Sequence, residues 1–509
     1  MLVDIGNALV QLATPTMLLL CVAGVIAGMA VGATPGLSAT VGLALLLPIT
    51  FAMAPTTGLV LMGAFYMGAI YGGSFTAILV NTPGTPSSIA TTFDGYPMTQ
   101  QGRSEAAIVA STVGSVVGGL VGVLGLLVLA PLLATVVLAF GPQEYFWMGV
   151  FGLTMIAGIA PSLLKGIAAG FIGLLISTIG ISPVGGEVRF TFGITDMQGG
   201  VPLIVALIGL FTIPTIIDLV IEPDARTKAL EKDSEHRKRG GELWSTVRDI
   251  FSRPVNLIRS SVIGTFVGIL PGAGGSIANL IAYNEAKRTS KRRAYFGKGE
   301  VDGVVAPEAA NNAVVGGGMV PLLTLGIPGA PPDAVIYGVL LLHGLRPGPE
   351  LFDEQGVLTF TFILAVGLSA LLMAPIGLVA GRGLQRAVVR TPTHYLAPVI
   401  AVLTAVGSYA VRNSALDVVM MVLLGLAGYG LRKVGLPPAA IVLGVVLGPI
   451  IETGFAQGML TATGDAYPWM SFFTRPLSLG IIVLVVLGLA WPLVIRRKEK
   501  RMAETEQVS

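Results

Sequence analysis

The sequence predicts an all-α polytopic membrane protein made of two repeats of inverted topology, each with a re-entrant hairpin, a broken helix and about four further transmembrane helices. Three observations predict it: the composition, a proline-glycine phrase that occurs twice inside apolar sequence, and the placement of the basic residues. Of 509 residues, 53% are hydrophobic and 12% charged, against the ~25% charged residues of a soluble domain. The single cysteine, Cys21, excludes a disulfide framework, and the three histidines (His236, His343, His394) are not at metal-ligand spacing. No cofactor and no nucleic-acid partner are expected; the partner implied by so much apolar sequence is membrane lipid. Residues 1–11 contain Asp4 and no basic run, so a cleaved signal peptide is not expected.

The phrase first reads Gly32-Ala-Thr-Pro35-Gly36-Leu-Ser38-Ala-Thr40, followed by Asn81-Thr82-Pro83-Gly84-Thr85-Pro86. It returns as Gly268-Ile-Leu-Pro271-Gly272-Ala-Gly274-Gly275-Ser276, followed by Gly326-Ile-Pro328-Gly329-Ala330-Pro331. Proline and glycine interrupt helices where lipid cannot satisfy a broken backbone, so such breaks persist only when buried in protein or lining a cavity. A matched pair in two halves points to a binding site for something carried across the bilayer.

Element by element, charge parity gives the path of the chain. Basic residues concentrate in 222–254, in 287–298, at Arg382, Arg386 and Arg390, at Arg432 and Lys433, and in the tail from Arg496 to Arg501; these segments are assigned to the cytoplasm. Segments 141–144, 182–198, 349–355 and 452–474 are poor in Lys and Arg and are assigned outside. Residues 15–49 form a hairpin with its tip at Pro35-Gly36, and 56–93 form a long stretch broken at 81–86. Spans near 106–138, 145–160, 166–181 and 200–221 then lead to the basic connector. Residues 255–284 have basic sequence at both ends, and ~28 residues are too few for two crossings of ~20 each, so this stretch enters and returns with its tip at Pro271–Ser276. A second long stretch, 304–343, is broken at 326–332, and spans near 357–380, 397–411, 415–431, 437–451 and 477–495 follow. The domains are therefore a first repeat (1–221), a charged cytoplasmic connector (222–254), a second repeat (255–495) and a basic cytoplasmic tail (496–509). The connector reads as a solvated linker or an amphipathic surface helix. Gly114, Gly118 and Gly122 fall on one helix face and are expected to pack against another helix.

Each break creates helix N-termini inside the protein, with unpaired N–H groups and a positive dipole end. Ser38 and Thr40 follow the first tip, and Gly274, Gly275 and Ser276 the second; Ser87 and Ser88 follow Pro86, and Asp333 follows Pro331-Pro332. These residue types cap helices, and they also bind anions through hydroxyl and backbone N–H groups. Both readings stand for each residue. Together, Pro35, Gly36, Ser38, Thr40, Asn81, Thr82, Gly84, Thr85, Ser87, Ser88, Gly272, Gly274, Gly275, Ser276, Gly329, Ala330 and Asp333 are the candidate substrate residues. Helix C-terminal carbonyls after Val80 and Leu325, with Asn81, Asn311 and Asn312, offer hard oxygen ligands to a small cation such as Na⁺. Glu308 reads as a partner of its own helix N-terminus or as an ion- or proton-coupling group. Lys165, Asp218 and Asp417 read as interfacial, and His343 as a cap.

At these residues the chain resembles the TctA family, the large membrane subunit of the tripartite tricarboxylate transporters. The resemblance runs from about residue 15 to 495 and rests on an ordered set of motifs. In the first half these are Pro35-Gly36-Leu-Ser-Ala-Thr, Tyr71-Gly-Gly-Ser-Phe-Thr-Ala-Ile-Leu-Val-Asn-Thr-Pro-Gly-Thr-Pro and Asp94-Gly-Tyr-Pro-Met. In the second they are Pro271-Gly-Ala-Gly, Phe296-Gly-Lys-Gly, Ala306-Pro-Glu-Ala-Ala-Asn-Asn-Ala, Leu325-Gly-Ile-Pro-Gly and His343-Gly-Leu-Arg-Pro-Gly-Pro. It implies a bacterial inner-membrane secondary transporter coupled to Na⁺ or H⁺. It also implies a small four-span membrane subunit and a periplasmic binding protein that delivers a di- or tricarboxylate. One departure stands out: Ala330-Pro331-Pro332-Asp333 occupies a place where the family commonly has small or hydroxylated residues, which puts citrate itself in question. The competing classes are an ion channel, a structural membrane subunit and an intramembrane enzyme; for the last, no catalytic set is visible in the apolar spans.

Overall fold

The computed structural model describes residues 1–489 apart from 35, 156–159, 161, 222–241, 273, 391–392 and 465. Pro35 of the first hairpin tip, most of the charged connector and the basic tail lie outside the described residues. The chain begins with α1 (Leu2–Leu12), a helix the sequence reading had not anticipated, followed by α2 (Pro15–Gly32) and α3 (Ala39–Phe51), the arms of the first hairpin. Next come the long α4 (Pro55–Val80), a 3₁₀ turn at Pro86–Ser88, and α5 (Thr91–Gln100). The first half closes with α6 (Ser104–Val137), α7 (Pro142–Met155), α8 (Leu163–Ser177) and α9 (Leu203–Ile221). Between α8 and α9 a two-residue ribbon pairs β1 (Gly180–Ile181) with β2 (Val188–Arg189), so the expected external loop carries structure of its own.

The second half opens with α10 (Leu243–Phe251), the described end of the connector, and then a hairpin of α11 (Pro254–Ile269) and α12 (Gly274–Thr289). Each arm of that hairpin has 16 residues, short of the ~20 that cross a bilayer. The broken stretch follows as α13 (Asp302–Leu325) and α14 (Pro331–Leu342). Apart from short helical turns at Pro349–Asp353 and Ser471–Thr474, the remaining described helices are α15 (Gly356–Arg390), α16 (Thr393–Arg412), α17 (Ala415–Lys433), α18 (Pro438–Thr461) and α19 (Pro476–Leu489). Seven of the described helices are long and apolar enough to cross a membrane, and this is a multi-pass membrane protein. Two boundaries differ from expectation. α15 runs on to Arg390 rather than ending near 380, and α18 continues through Glu452 to Thr461 rather than ending near 451, with Glu452 paired to Arg189 of β2 at 2.9 Å and accepting a hydrogen bond from Ser182.

The two halves pair their helices alike. α2 lies on α4 as α11 lies on α13; α6 lies on α13 as α15 lies on α4; α8 lies on α18 as α17 lies on α9. Glycines set the closest of these contacts, since lipid supplies no hydrophobic drive between helices and small residues let backbones approach. A Cβ at Gly118 would stand 2.0 Å from the Ala309 carbonyl oxygen, and one at Gly122 would stand 2.4 Å from that of Ala313. The expected glycine face of α6 is therefore its contact with α13. Within the first half, Gly28 and Gly32 of α2 do the same against Phe65 and Ala69 of α4, at 2.1 and 2.0 Å.

At the predicted membrane boundaries, polar side chains find partners. Lys165 donates to the Val434 carbonyl at 2.7 Å, and Arg432 grips Asp218 at 2.6 Å. Asp417 is not solvated at the interface as expected: it is fully buried and held by Arg412 at 2.5 Å. A carboxylate in that position requires such a partner.

Candidate functional site

Both long helices stop where their sequence stops them. α4 ends at Asn81, a left-handed residue with φ +56°, and α13 at Gly326, with φ +71°. Asparagine and glycine tolerate this conformation and so terminate helices. After the first stop, Gly84 N–H reaches back to the Gly73 carbonyl at 3.2 Å. A Cβ at Gly84 would lie 2.1 Å from the Gly32 carbonyl, so the break is pressed against the C-terminus of α2. After the second stop, the Gly329 carbonyl accepts from Gly272 N–H at 2.7 Å, which ties the break to the hairpin tip. Gly36, Gly272 and Gly274 have φ of +87°, +81° and +58°. At the tips, glycine is what allows the reversal.

The chain then restarts, and the restarts meet. A cavity of about 400 Å³ is lined by Ser38, Ala39 and Thr40 at the start of α3 and by Thr85, Pro86 and Ser87 at the first break. Gly272, Gly274, Gly275 and Ser276 line it from the second tip, and Ala330, Pro331 and Pro332 from the second break. Asn311 completes the polar lining from α13. Among the described residues, none that lines the cavity is charged. Three α-helical N-termini and one 3₁₀ turn thus open on one space, and their combined polarity favours an anion. The halves touch here directly: a Cβ at Gly275 would stand 2.5 Å from Asn311 Oδ1 and 2.9 Å from Ser87 Cβ. Asn279 of α12 also donates to the Ser87 carbonyl.

Several candidates lie elsewhere. Gly36, Asn81, Thr82, Gly84, Ser88 and Gly329 shape the tip and breaks without lining the cavity. Ser88 serves the turn itself, accepting from Thr85 N–H and donating to the Thr85 carbonyl at 2.8 Å. Ser38 combines both functions, since its Oγ accepts from Val41 N–H at 3.3 Å while the residue faces the cavity. Asp333 is fully buried and not part of the lining; its Oδ2 accepts from Ala330 N–H at 2.7 Å. The carboxylate is a cap for its own helix, a role that stabilises helix starts by about 1 kcal/mol.

The two asparagines also part company. Asn311 is 1% exposed, and neither its amide oxygen nor its amide nitrogen has a hydrogen-bond partner among the described residues. Buried amides are ordinarily paired, so this one is free to receive a ligand in the cavity it lines. Asn312 turns away and donates to the Met67 carbonyl at 3.3 Å, beside the Met67 and Met373 sulfurs. Among the described residues no group of three or more His, Cys, Asp or Glu could hold a metal ion.

Glu308 is not a partner of its helix N-terminus. It sits beyond the first turn of α13, fully buried, and hydroxyls of Thr91, Ser111 and Ser115 surround its carboxyl at 2.5, 3.4 and 3.1 Å. The row Ser111–Ser115, four residues apart on the glycine face of α6, was the available signal for this environment. Tyr66, Ile70, Phe211 and Ala439 line the cavity without having been foreseen. Tyr66, Ile70 and Phe211 come from helix interiors and Ala439 from the start of α18, all remote in sequence, where only the tertiary fold selects them.

The fold is that of a multi-pass helical membrane protein with two broken helices that meet at one cavity, and its family makes it a membrane transport component. The chain belongs to the tripartite tricarboxylate transporter TctA family, whose pattern matches residues 18–443. Among its relatives, an uncharacterised 52.8 kDa protein from the TAR-I ttuC′ 3′ region of Agrobacterium vitis is 35% identical over 501 residues, covering 97% of both chains. An uncharacterised protein from the TAR-II ttuC′ 3′ region of the same organism is 36% identical over 230 residues, which is 44% of this chain and 93% of that one. No solved structure matches the chain.

Proposed function

We propose that this chain is the translocating subunit of a bacterial inner-membrane importer for a di- or tricarboxylate. In this reading a periplasmic binding protein delivers the substrate, a small four-span subunit completes the membrane complex, and inward movement of Na⁺ or H⁺ drives uptake. The observation that carries the reading is the cavity lined by uncharged described residues at the starts of α3, α12 and α14 and at the Pro86 turn. Backbone N–H groups and hydroxyls hold an anion there without a fixed countercharge, so the substrate can also leave. The volume falls within the range of small-molecule sites, ~300–1,000 Å³. Charge parity orients the two halves oppositely, and the matched helix pairings are what such repeats would produce; rocking one against the other would expose the cavity alternately to each side.

The test is radiolabelled uptake by the chain reconstituted with its two partner components, across di- and tricarboxylates, with and without Na⁺ and a pH gradient. Saturable uptake that requires both the binding protein and an ion gradient is expected. Flux that never saturates, or that ignores the binding protein, would mean a channel or a structural subunit.

A further inference from the structure

We propose that Glu308 is a proton-binding site coupled to the cavity, a role that rests on the transport reading above and assigns the coupling ion as H⁺. The carboxyl is fully buried, and no Lys, Arg or His is paired with it among the described residues. The ionisable groups on the surrounding helices are occupied elsewhere. Tyr71 of α4 is bonded to Thr112 at 2.5 Å, and Asp94 of α5 accepts from Tyr283 of α12 at 2.9 Å. Arg259 of α11 faces Glu285 at 3.9 Å, Asp302 pairs with Arg253, and Asp333 caps Ala330. Glu105 is confined to the first turn of α6. An unpaired carboxylate in such surroundings is costly, and a proton removes that cost.

The hydroxyl protons point the same way. Each serine has one proton to donate. Ser74 gives its proton to the Tyr71 carbonyl at 2.8 Å, and Ser111 gives its own to Ser74 at 2.7 Å. Ser111 is also the donor toward Glu308 Oε2, 3.4 Å away, so its single proton serves two acceptors. A proton on the carboxyl supplies the missing donor and joins Glu308, Ser111 and Ser74 in one run that ends on a backbone carbonyl. On release the O–H bond breaks, the electron pair stays on the carboxylate, and the proton passes to water on the side then open.

The coupling to substrate is mechanical. Thr91, which donates to Glu308 Oε1, is carried by α5 immediately after the first break, whereas Asn311 reaches the cavity from the next turn of α13. A shift of the first break relative to α13 thus changes the cavity and the Glu308 environment together.

The chain reconstituted with its partners, with labelled citrate and tartrate as probes, tests this through Glu308→Gln. Exchange of substrate across the membrane should stay within about threefold of the unaltered protein. Accumulation driven by a gradient of ~1 pH unit, limited to about tenfold for one proton per substrate, should vanish. The infrared difference between the unaltered protein and Glu308→Gln at neutral pH should show a carboxylic-acid C=O band, the buried Asp333 being common to both; if that variant fails to fold, Glu308→Asp should shift the band. Absence of the band overturns the proposal, as does undiminished pH-driven accumulation by Glu308→Gln or accumulation that answers to Na⁺ alone. If the unaltered protein exchanges neither probe, the substrate reading falls for them, while the infrared measurement still decides the protonation of Glu308.

Discussion

The break after α4 and the break after α13 begin alike and end differently. Both start with a left-handed residue, Asn81 or Gly326, and both restart on proline, Pro86 or Pro331. The first restart is stabilised by hydroxyls: Ser88 Oγ accepts from the Thr85 N–H and donates to the Thr85 carbonyl, and the Thr85 and Ser87 hydroxyls lie 3.1 Å apart at the cavity wall. The second is stabilised by the Asp333 carboxylate, which faces its own Ala330 N–H and leaves only Ala330 and two prolines toward the cavity. One break thus presents side-chain polarity and the other presents backbone, with Asn311 supplying a side-chain amide from α13. The most conspicuous residue of the second break is therefore the one withdrawn from the cavity.

The sharpest way to break this comparison is to separate the two walls. Gly275→Val would push methyls between Asn311 and Ser87, and uptake should fall about 100-fold in a protein that still folds, close to 3 kcal/mol. Unchanged uptake would mean that the breaks do not face a common ligand. Next in size is the cap. Asp333→Ala strands a buried N–H and should cost about 2 kcal/mol in unfolding experiments, whereas Ser88→Ala should cost about 1 kcal/mol. Asp333→Asn, which keeps an acceptor for Ala330, should remain close to the unaltered stability and leave KM unchanged; a large KM change with normal stability would turn the carboxylate back toward substrate. The smallest contrast is between neighbours. Asn311→Ala should raise KM about tenfold, the loss of roughly 1.4 kcal/mol. Asn312→Ala should leave KM within about twofold and lower stability by about 1 kcal/mol.

Much of this architecture was legible because prolines and glycines within apolar sequence have few permissible locations. Pro271-Gly272 and Gly326–Pro331 mark breaks whichever helices surround them, and basic residues at both ends of 255–284 leave that segment no room to cross twice. What could not be read was direction. Asp333 pointing home rather than outward depends on one side-chain rotamer, and sequence spacing alone serves a cap and an anion site equally. Phe211 and Ala439 reach the cavity from α9 and α18 through packing between distant segments. The extension of α18 past Glu452 likewise required knowing that Arg189 waits beside it. Glu308 was placed too close to its helix start, since the hydroxyls that surround it belong to α5 and α6.

α4 has a mean hydropathy of 1.3 and is 100% buried over its most apolar window, whereas α6 has 2.7 and is 33% buried. α13 is buried along its whole length. The two interrupted helices are therefore sheathed by protein, and the requirement to dissolve in hydrocarbon falls on the helices around them. Substitutions at the breaks escape the bilayer's demand for greasiness, so the lining of the cavity can change without rebuilding the surface that keeps the protein in the membrane.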